Sequence, residues 1–566
     1  MLIKWLIINL FILSLHVLAF PNFSSESRHH PVIGTKGMVS TQEEQATQVG
    51  VEILKAGGNA IDAAVAVGFT LAVTLPQAGN LGGGGFMMIY IASENRTVAL
   101  DFREMAPQLA SRNMFLNKDG DIIKNKSRNS IYAVGVPGSV DGLLLALEKF
   151  GSMPQKKLIK PAIHLAKKGM IVSNALSLSL KFSKNKLEKD PYLYNIFYPN
   201  KNVPLTGTRL IQKDLAKSLS SIAKHGRGAF YNGKISKEFI KLMKEKNGLI
   251  TKSDLNNYRA KFREPIIGKY QNYVIKSMPP PSSGGVTLIQ LLKIIEPYPL
   301  KKWGHNSSKT IHVMAEAMQK VYADRSHWLG DDEFSYVPKK ELLRSTYIDK
   351  HRNKISLKKH RPSEKTTYGM PIESDETTHY SIVDQWGNAV SVTTTLNFSY
   401  GSAIGIPNTG IILNNQMDDF SSKPGEPNAY GLIGSKRNEI EPKKRMLSSM
   451  TPTIVFKNKE LFLVTGSPGG SRIITTVAQI ISNVIDHKLN IAEATHAPRF
   501  HHQWLPDELR IESDGFSEDT ISKLVTMGHN VKINRTMGST QSITKKGRYL
   551  YGSSDPRKPG ALTIGY

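Results

Sequence analysis

Glu376-Thr377-Thr378-His379-Tyr380 is the stretch on which the reading of this chain turns. A threonine hydroxyl is a poor nucleophile at neutral pH unless a base lies within hydrogen-bond reach, and a free α-amino group on the same residue is one such base. Thr377 is therefore a candidate nucleophile that becomes a new N-terminus if the chain is cut between Glu376 and Thr377. In such a cut the Thr377 hydroxyl attacks the preceding carbonyl and water hydrolyses the ester, the threonine N-terminal form of triad logic. Taken alone, a Thr-Thr pair ahead of a strand reflects only the fit of β-branched residues to strands. The surrounding sequence decides.

Downstream the pattern is one of strands. Residues 378–383 and 389–396 alternate about the turn Asp384-Gln385-Trp386-Gly387-Asn388, and 453–456 pairs with 461–465 across Lys457-Asn458-Lys459, so both read as hairpins. Helices are expected over 473–485 and 517–527, followed by two short strands. Alternation puts Thr393, Thr395 and Asn397 on one face and Thr394 on the other. Upstream, Ser40 and Glu43 read as a capping box for a helix reaching Ala56, and 61–76, apolar on nearly every side, reads as a helix buried between layers. The run from Gly79 to Gly85 follows a helix and precedes a strand over 86–91. A phosphate loop needs the order strand, glycines, helix, so these glycines imply close backbone packing under the active site instead. The middle of the chain reads as mainly helical, with loops at Pro137-Gly138 and 279–285. Helices interleaved with antiparallel pairs imply sheets stacked between helical layers.

At 566 residues the chain requires two domains or one large layered domain. Residues 1–19 combine Lys4, an apolar run over 5–15 and Val17-Leu18-Ala19, the pattern of a signal peptide cleaved after Ala19. Export to the periplasm or beyond is expected, and the run is short for a membrane anchor. The absence of cysteine excludes disulfides, thiol catalysis and cysteine-ligated metal. The formal net charge is +27, of which +4 falls after Thr377 and +23 before it. Lysines there are scattered, as at Lys181, Lys184, Lys186 and Lys189, without the interleaved aromatics of a nucleic-acid groove, so no nucleic-acid partner is expected. His379, His501 and His502 lack a carboxylate–histidine set on one helix, so neither a metal nor another cofactor is expected.

Four motifs stand in order along the chain: 377–381, Thr-Thr-His-Tyr-Ser; 414–420, Asn-Asn-Gln-Met-Asp-Asp-Phe; 447–450, Leu-Ser-Ser-Met; and 466–472, Gly-Ser-Pro-Gly-Gly-Ser-Arg. With Leu100-Asp101-Phe102-Arg103-Glu104 and the tail over 500–506, the chain resembles a bacterial γ-glutamyltranspeptidase, a member of the N-terminal nucleophile hydrolases. The likeness covers essentially everything after residue 19. It implies an α+β fold, a four-layer α/β/β/α sandwich. It also implies a proenzyme that cuts itself into a large subunit, 20–376, and a small subunit, 377–566, held together as one intertwined fold.

The resemblance implies transfer of a γ-glutamyl group from glutathione, glutamine or other γ-glutamyl compounds onto Thr377, then to water, an amino acid or a peptide. By the same likeness Thr395 hydrogen-bonds the Thr377 hydroxyl, and Gly469 and Gly470 offer backbone N–H groups to the oxyanion at a helix start near Arg472. Arg103, Ser448 and Ser449 would grip the α-carboxylate, while Asn397, Gln416 and Asp419 would accept from the α-ammonium, opposite charges held apart. The segment 424–444 resembles a lid loop, with Tyr430 its lid residue. Two departures are Thr394, often tyrosine in relatives, and Glu376, where many carry an amide. Two rival readings remain: an amidase of the same superfamily acting on glutaryl or other dicarboxylyl amides, and a basic surface-binding scaffold without chemistry.

Overall fold

Alternation along the strand Thr377–Val383 separates two environments. Tyr380 and Ile382 join a core built largely from helix side chains. His379, Ser381 and Val383 point the other way, toward a second sheet: Ser381 Oγ donates to Gln541 O at 2.8 Å, and Val383 packs with Ile454, Val464 and Ile543. In the computed structural model, which describes residues 27–363, 377–426 and 434–566, this alternation extends into a complete layering.

The sheet carrying Thr377 has seven antiparallel strands in the order Leu562–Gly565, Met38–Thr41, Thr377–Val383, Ala389–Thr395, Gly84–Ile91, Arg96–Phe102 and Lys261–Arg263. The second, also antiparallel, runs Val32–Gly34, Tyr549–Ser554, Gln541–Lys546, Glu460–Thr465, Thr453–Lys457, Tyr273–Ser277 and Ile266–Tyr270. Strands from before and after Thr377 interleave in both. One apolar layer, including Phe86, Met88, Ile454 and Val464, lies between the sheets. The outer face of the first sheet is covered by the helices Glu44–Lys55, Ala60–Thr74 and Ser139–Phe150. The outer face of the second is covered by Gly284–Ile295, Ser308–Trp328 and Ile473–Ile485. This is the expected α/β/β/α sandwich.

Local chemistry explains the elements that position the site. The helix Ala60–Thr74 buries almost every residue, as its uniformly apolar sequence requires, and starts with a capping box between Asn59 and Asp62. The hairpin turn at Asn458 and Lys459 has both residues at positive φ, matching the right-handed twist of its strands. The glycines of 82–85 face backbone: a Cβ at Gly82 would lie 2.0 Å from Ile412 O, and at Gly83 2.2 Å from Thr395 O.

Three expectations are corrected. Glu43 itself caps the helix Glu44–Lys55, accepting from the Gln45 and Ala46 N–H groups, while Ser40 belongs to a strand and bonds Thr563 Oγ1 at 2.8 Å. Sheet pairing claimed Ser40 before it could serve as a cap. The middle of the chain, mainly helical as expected, also supplies the strands Lys261–Arg263, Ile266–Tyr270 and Tyr273–Ser277, each only three to five residues long, too short for a periodic signal to stand out. Four strands, not two, follow the helix Glu518–Thr526. Residues 1–19 and Glu376 lie outside the described residues. No helix among the described residues is long and apolar enough to cross a membrane.

Candidate active site

Thr377 opens its strand directly opposite Thr395, and their Oγ1 atoms are 3.3 Å apart between the sheets. Thr395 Oγ1 also accepts the Asn397 N–H at 2.8 Å. Behind this pair the glycine run packs against the Thr395 carbonyl so closely that a side chain at Gly83 would not fit. Thr394 faces away, as expected, donating to Gly84 O at 2.8 Å.

A small cavity opens at Thr377. Its wall contains Arg103, Thr395, Asn397, Gln416, Asp419, Ser448, Ser449 and Gly470, so nearly every residue singled out from sequence converges there. Gly469 is not on the wall but immediately precedes it. Both glycines have positive φ, +128° and +54°, where the chain turns into the helix Ile473–Ile485. Tyr430 lies outside the described residues. Flanking residues of its segment, including Ser421, Glu426 and Gly434, line a wider adjoining cleft of about 370 Å³.

The charges are arranged differently from the expectation of separation. Arg103 Nη2 pairs directly with Asp419 Oδ2, which also accepts Gln416 Nε2 at 2.7 Å. Arg103 further donates to the Met446 and Leu447 carbonyls, both at 3.3 Å. Gln416 Oε1 is buried with no hydrogen-bond partner, an acceptor facing no described donor. Asn397 reaches the wall differently from expectation too. The strand ends at Thr395, and Asn397 has a φ of +78°, so a turn rather than strand alternation places it.

Beneath Arg103, Glu104 is fully buried; its Oε2 lies 3.8 Å from Arg103 Nη1, but neither oxygen has a hydrogen-bond partner, and burial outweighs the neighbouring guanidinium and raises its carboxyl to about 7. Sequence reasoning missed Arg325, which lines both the cavity and the wider cleft. Its setting in the helix Ser308–Trp328 gives no local signal, because its partners come from distant loops.

His379 is buried between hydroxyls, Nδ1 2.9 Å from Thr393 Oγ1 and Nε2 3.1 Å from Ser381 Oγ, and burial lowers it to about 3. His501 contacts Thr475 and Gln503. A carboxylate–histidine pair on one helix does exist, at His312 and Glu316, and with His529 it groups three atoms that could hold a cation. His312 donates through Nε2 to Ser356 O at 2.6 Å, which leaves Nδ1 to accept from His529 Nε2 at 2.7 Å.

Two antiparallel sheets stacked between helical layers, with a threonine at the head of a central strand, define an N-terminal nucleophile hydrolase. A family model described as Gamma-glutamyltranspeptidase matches residues 46–565. The glutathione hydrolase proenzyme of Escherichia coli (strain K12) is 52% identical, covering 96% of this chain and 94% of its own length. Among solved structures, the Helicobacter pylori gamma-glutamyltranspeptidase is 40% identical, with a TM-score of 0.55 over 60% of this chain and 93% of that one. The cephalosporin acylase from Bacillus halodurans is 25% identical, with a TM-score of 0.84 over 97% of this chain and 99% of that one. The chain belongs to the gamma-glutamyltranspeptidase family.

Proposed function

We propose that this protein is a self-processing γ-glutamyltransferase and glutathione hydrolase. It cuts between Glu376 and Thr377 and carries the γ-glutamyl group on Thr377. The observation that carries this reading is one cavity holding Thr377, its hydroxyl partner Thr395, and groups of both charge signs suited to a zwitterion. The α-carboxylate of the donor takes Arg103, Ser448 and Ser449. The α-ammonium takes Asp419, Asn397 and the free Gln416 Oε1.

Once the cut exposes the Thr377 amine, that amine accepts the hydroxyl proton as Oγ1 attacks the γ-carbonyl. The oxyanion is met by the N–H groups of Gly469 and Gly470 at the helix start. Collapse breaks the amide C–N bond, the leaving amine takes the proton, and an ester remains on Thr377. Water, an amino acid or a peptide then attacks that ester, regenerating the hydroxyl. The leader pattern of residues 1–19 supports an exported, periplasmic or secreted enzyme, and the interleaved strands support a processed pair that stays associated.

Thr377→Ala is expected to give a single uncut band on a denaturing gel and no acyl transfer; a normally processed, active variant would reject the reading. The likeness to a cephalosporin acylase gives the dicarboxylyl amidase reading its support. Against it stand Asp419 and Gln416, which a glutaryl group leaves without an ammonium. Comparing γ-glutamyl and glutaryl anilides separates the two, and the γ-glutamyl compound is expected to be the better substrate.

A further inference from the structure

Arg325 sits in the last turn of the helix Ser308–Trp328 and is 4% exposed. Among the described residues no carboxylate lies within ion-pair distance of it, whereas Arg103 beside it is already matched by Asp419. A buried guanidinium without a counter-ion costs stability, so its retention at the cavity wall calls for a task there. Its hydrogen bonds indicate what that task is. Nη2 donates to Ser449 Oγ at 3.0 Å, and Nε donates to Ser283 Oγ at 3.0 Å. Ser283 in turn donates through Oγ to Ser448 O at 2.7 Å and through its N–H to the same oxygen at 2.8 Å.

A serine hydroxyl has one proton and two lone pairs. Because Ser449 Oγ accepts from an arginine, which cannot accept in return, its proton must point elsewhere, and Ser449 lines the cavity. Resting on the functional reading above, we propose that Arg325 is a positioning residue for the donor α-carboxylate: it commits the Ser449 hydroxyl to donating into the cavity and, through Ser283, fixes the Ser448 backbone. Its charge persists at neutral pH, since burial lowers the guanidinium only to about 10. Without Arg325, the Ser449 hydroxyl is free to turn a lone pair toward the carboxylate and oppose binding.

The test compares γ-glutamyl p-nitroanilide with 4-aminobutyryl p-nitroanilide, which lacks only the α-carboxylate, on wild type, Arg325→Met, Arg325→Lys and Ser449→Ala. For Arg325→Met the kcat/KM preference for the γ-glutamyl compound is expected to fall about tenfold, through KM with kcat little changed, the scale of one charge-assisted hydrogen bond. Arg325→Lys, which keeps a donor, should fall less. In a Ser449→Ala background Arg325→Met should produce a clearly smaller further fall, because the share that acts through the Ser449 hydroxyl is already gone and only the route through Ser283 to Ser448 remains. An unchanged preference in a processed, folded Arg325→Met protein, or independent multiplication of the two effects, overturns the inference. If Arg325→Met does not fold, Arg325→Gln, whose amide can accept as well as donate and so no longer commits the Ser449 hydroxyl, takes its place, and an unchanged preference there overturns the inference equally. Wild type that fails on γ-glutamyl anilide sinks the functional reading itself, and this inference with it.

Discussion

A hydroxyl nucleophile is only as well placed as the backbone behind it, and here that backbone is held by glycine. A Cβ on Gly83 would sit 2.2 Å from Thr395 O, and one on Gly85 2.4 Å from Thr393 O, both main-chain atoms within a paired strand. Gly83→Ala is therefore expected to displace Thr395, cost about 1–3 kcal/mol by overpacking, and slow both self-cleavage and turnover. Gly228→Ala, where nothing lies within 4 Å, is the matched control and should leave thermal stability and processing nearly unchanged. Calorimetry with a gel time course distinguishes them; equal behaviour of the two variants would refute the packing argument. The glycine run was legible because its order relative to helix and strand excluded a phosphate site. The residues of the cavity wall were legible through short motifs. Arg325 was not, because its meaning lies in Ser283 and Ser449, far away in sequence and carried on separate loops.

At the scale of elements, strong alternation made the hairpins readable almost to the residue, as at Thr377–Val383 with Ala389–Thr395. Sheet order was hidden, because which strands meet depends on pairing between segments hundreds of residues apart, such as Met38–Thr41 with Leu562–Gly565. One side chain joins two readable elements into a unit. Asp384, in the turn of the Thr377 hairpin, accepts from the Trp386 and Asn388 N–H groups, each at 2.9 Å, and from Asn388 Nδ2 at 2.8 Å. It also accepts from Ala60 N at 2.9 Å, at the start of the buried helix Ala60–Thr74, where a negative charge complements the helix dipole. Asp384→Ala leaves these donors without their acceptor and should destabilise by about 2–4 kcal/mol in denaturant titration, with Asp384→Asn intermediate. A loss below about 0.5 kcal/mol, the range of an ordinary surface substitution, would mean the turn and helix are not coupled through this carboxylate.

Across the whole molecule, the final described stretch before Thr377 is fastened to both sides of the scission point proposed here. His360 Nδ1 contacts Glu316 Oε1 at 2.5 Å, and its Nε2 contacts Asp507 Oδ1 at 3.1 Å; Ser363 N–H donates to Asp507 Oδ2 at 2.8 Å. Burial alone would lower the His360 imidazole, but the hydrogen bonds it donates to the two carboxylates outweigh it and raise it to about 9. Its titratable neighbours His312, His502 and His529 are all pushed down by burial, and Asp507 is held below the carboxylate range by His360 and His502 against its own burial. One imidazolium thus bridges two carboxylates among neutral rings. Because the folded value exceeds the unfolded one near 6.5, the folded state binds the extra proton, and the stabilisation is complete below about pH 6.5 and lost as pH rises through about 9. His360→Gln should remove that dependence. Denaturant midpoints measured from pH 6 to 10 are expected to show wild type losing its advantage over the variant progressively across that window. Parallel curves for the two proteins would mean that this clasp contributes no proton-linked stability to the joining of the large and small pieces.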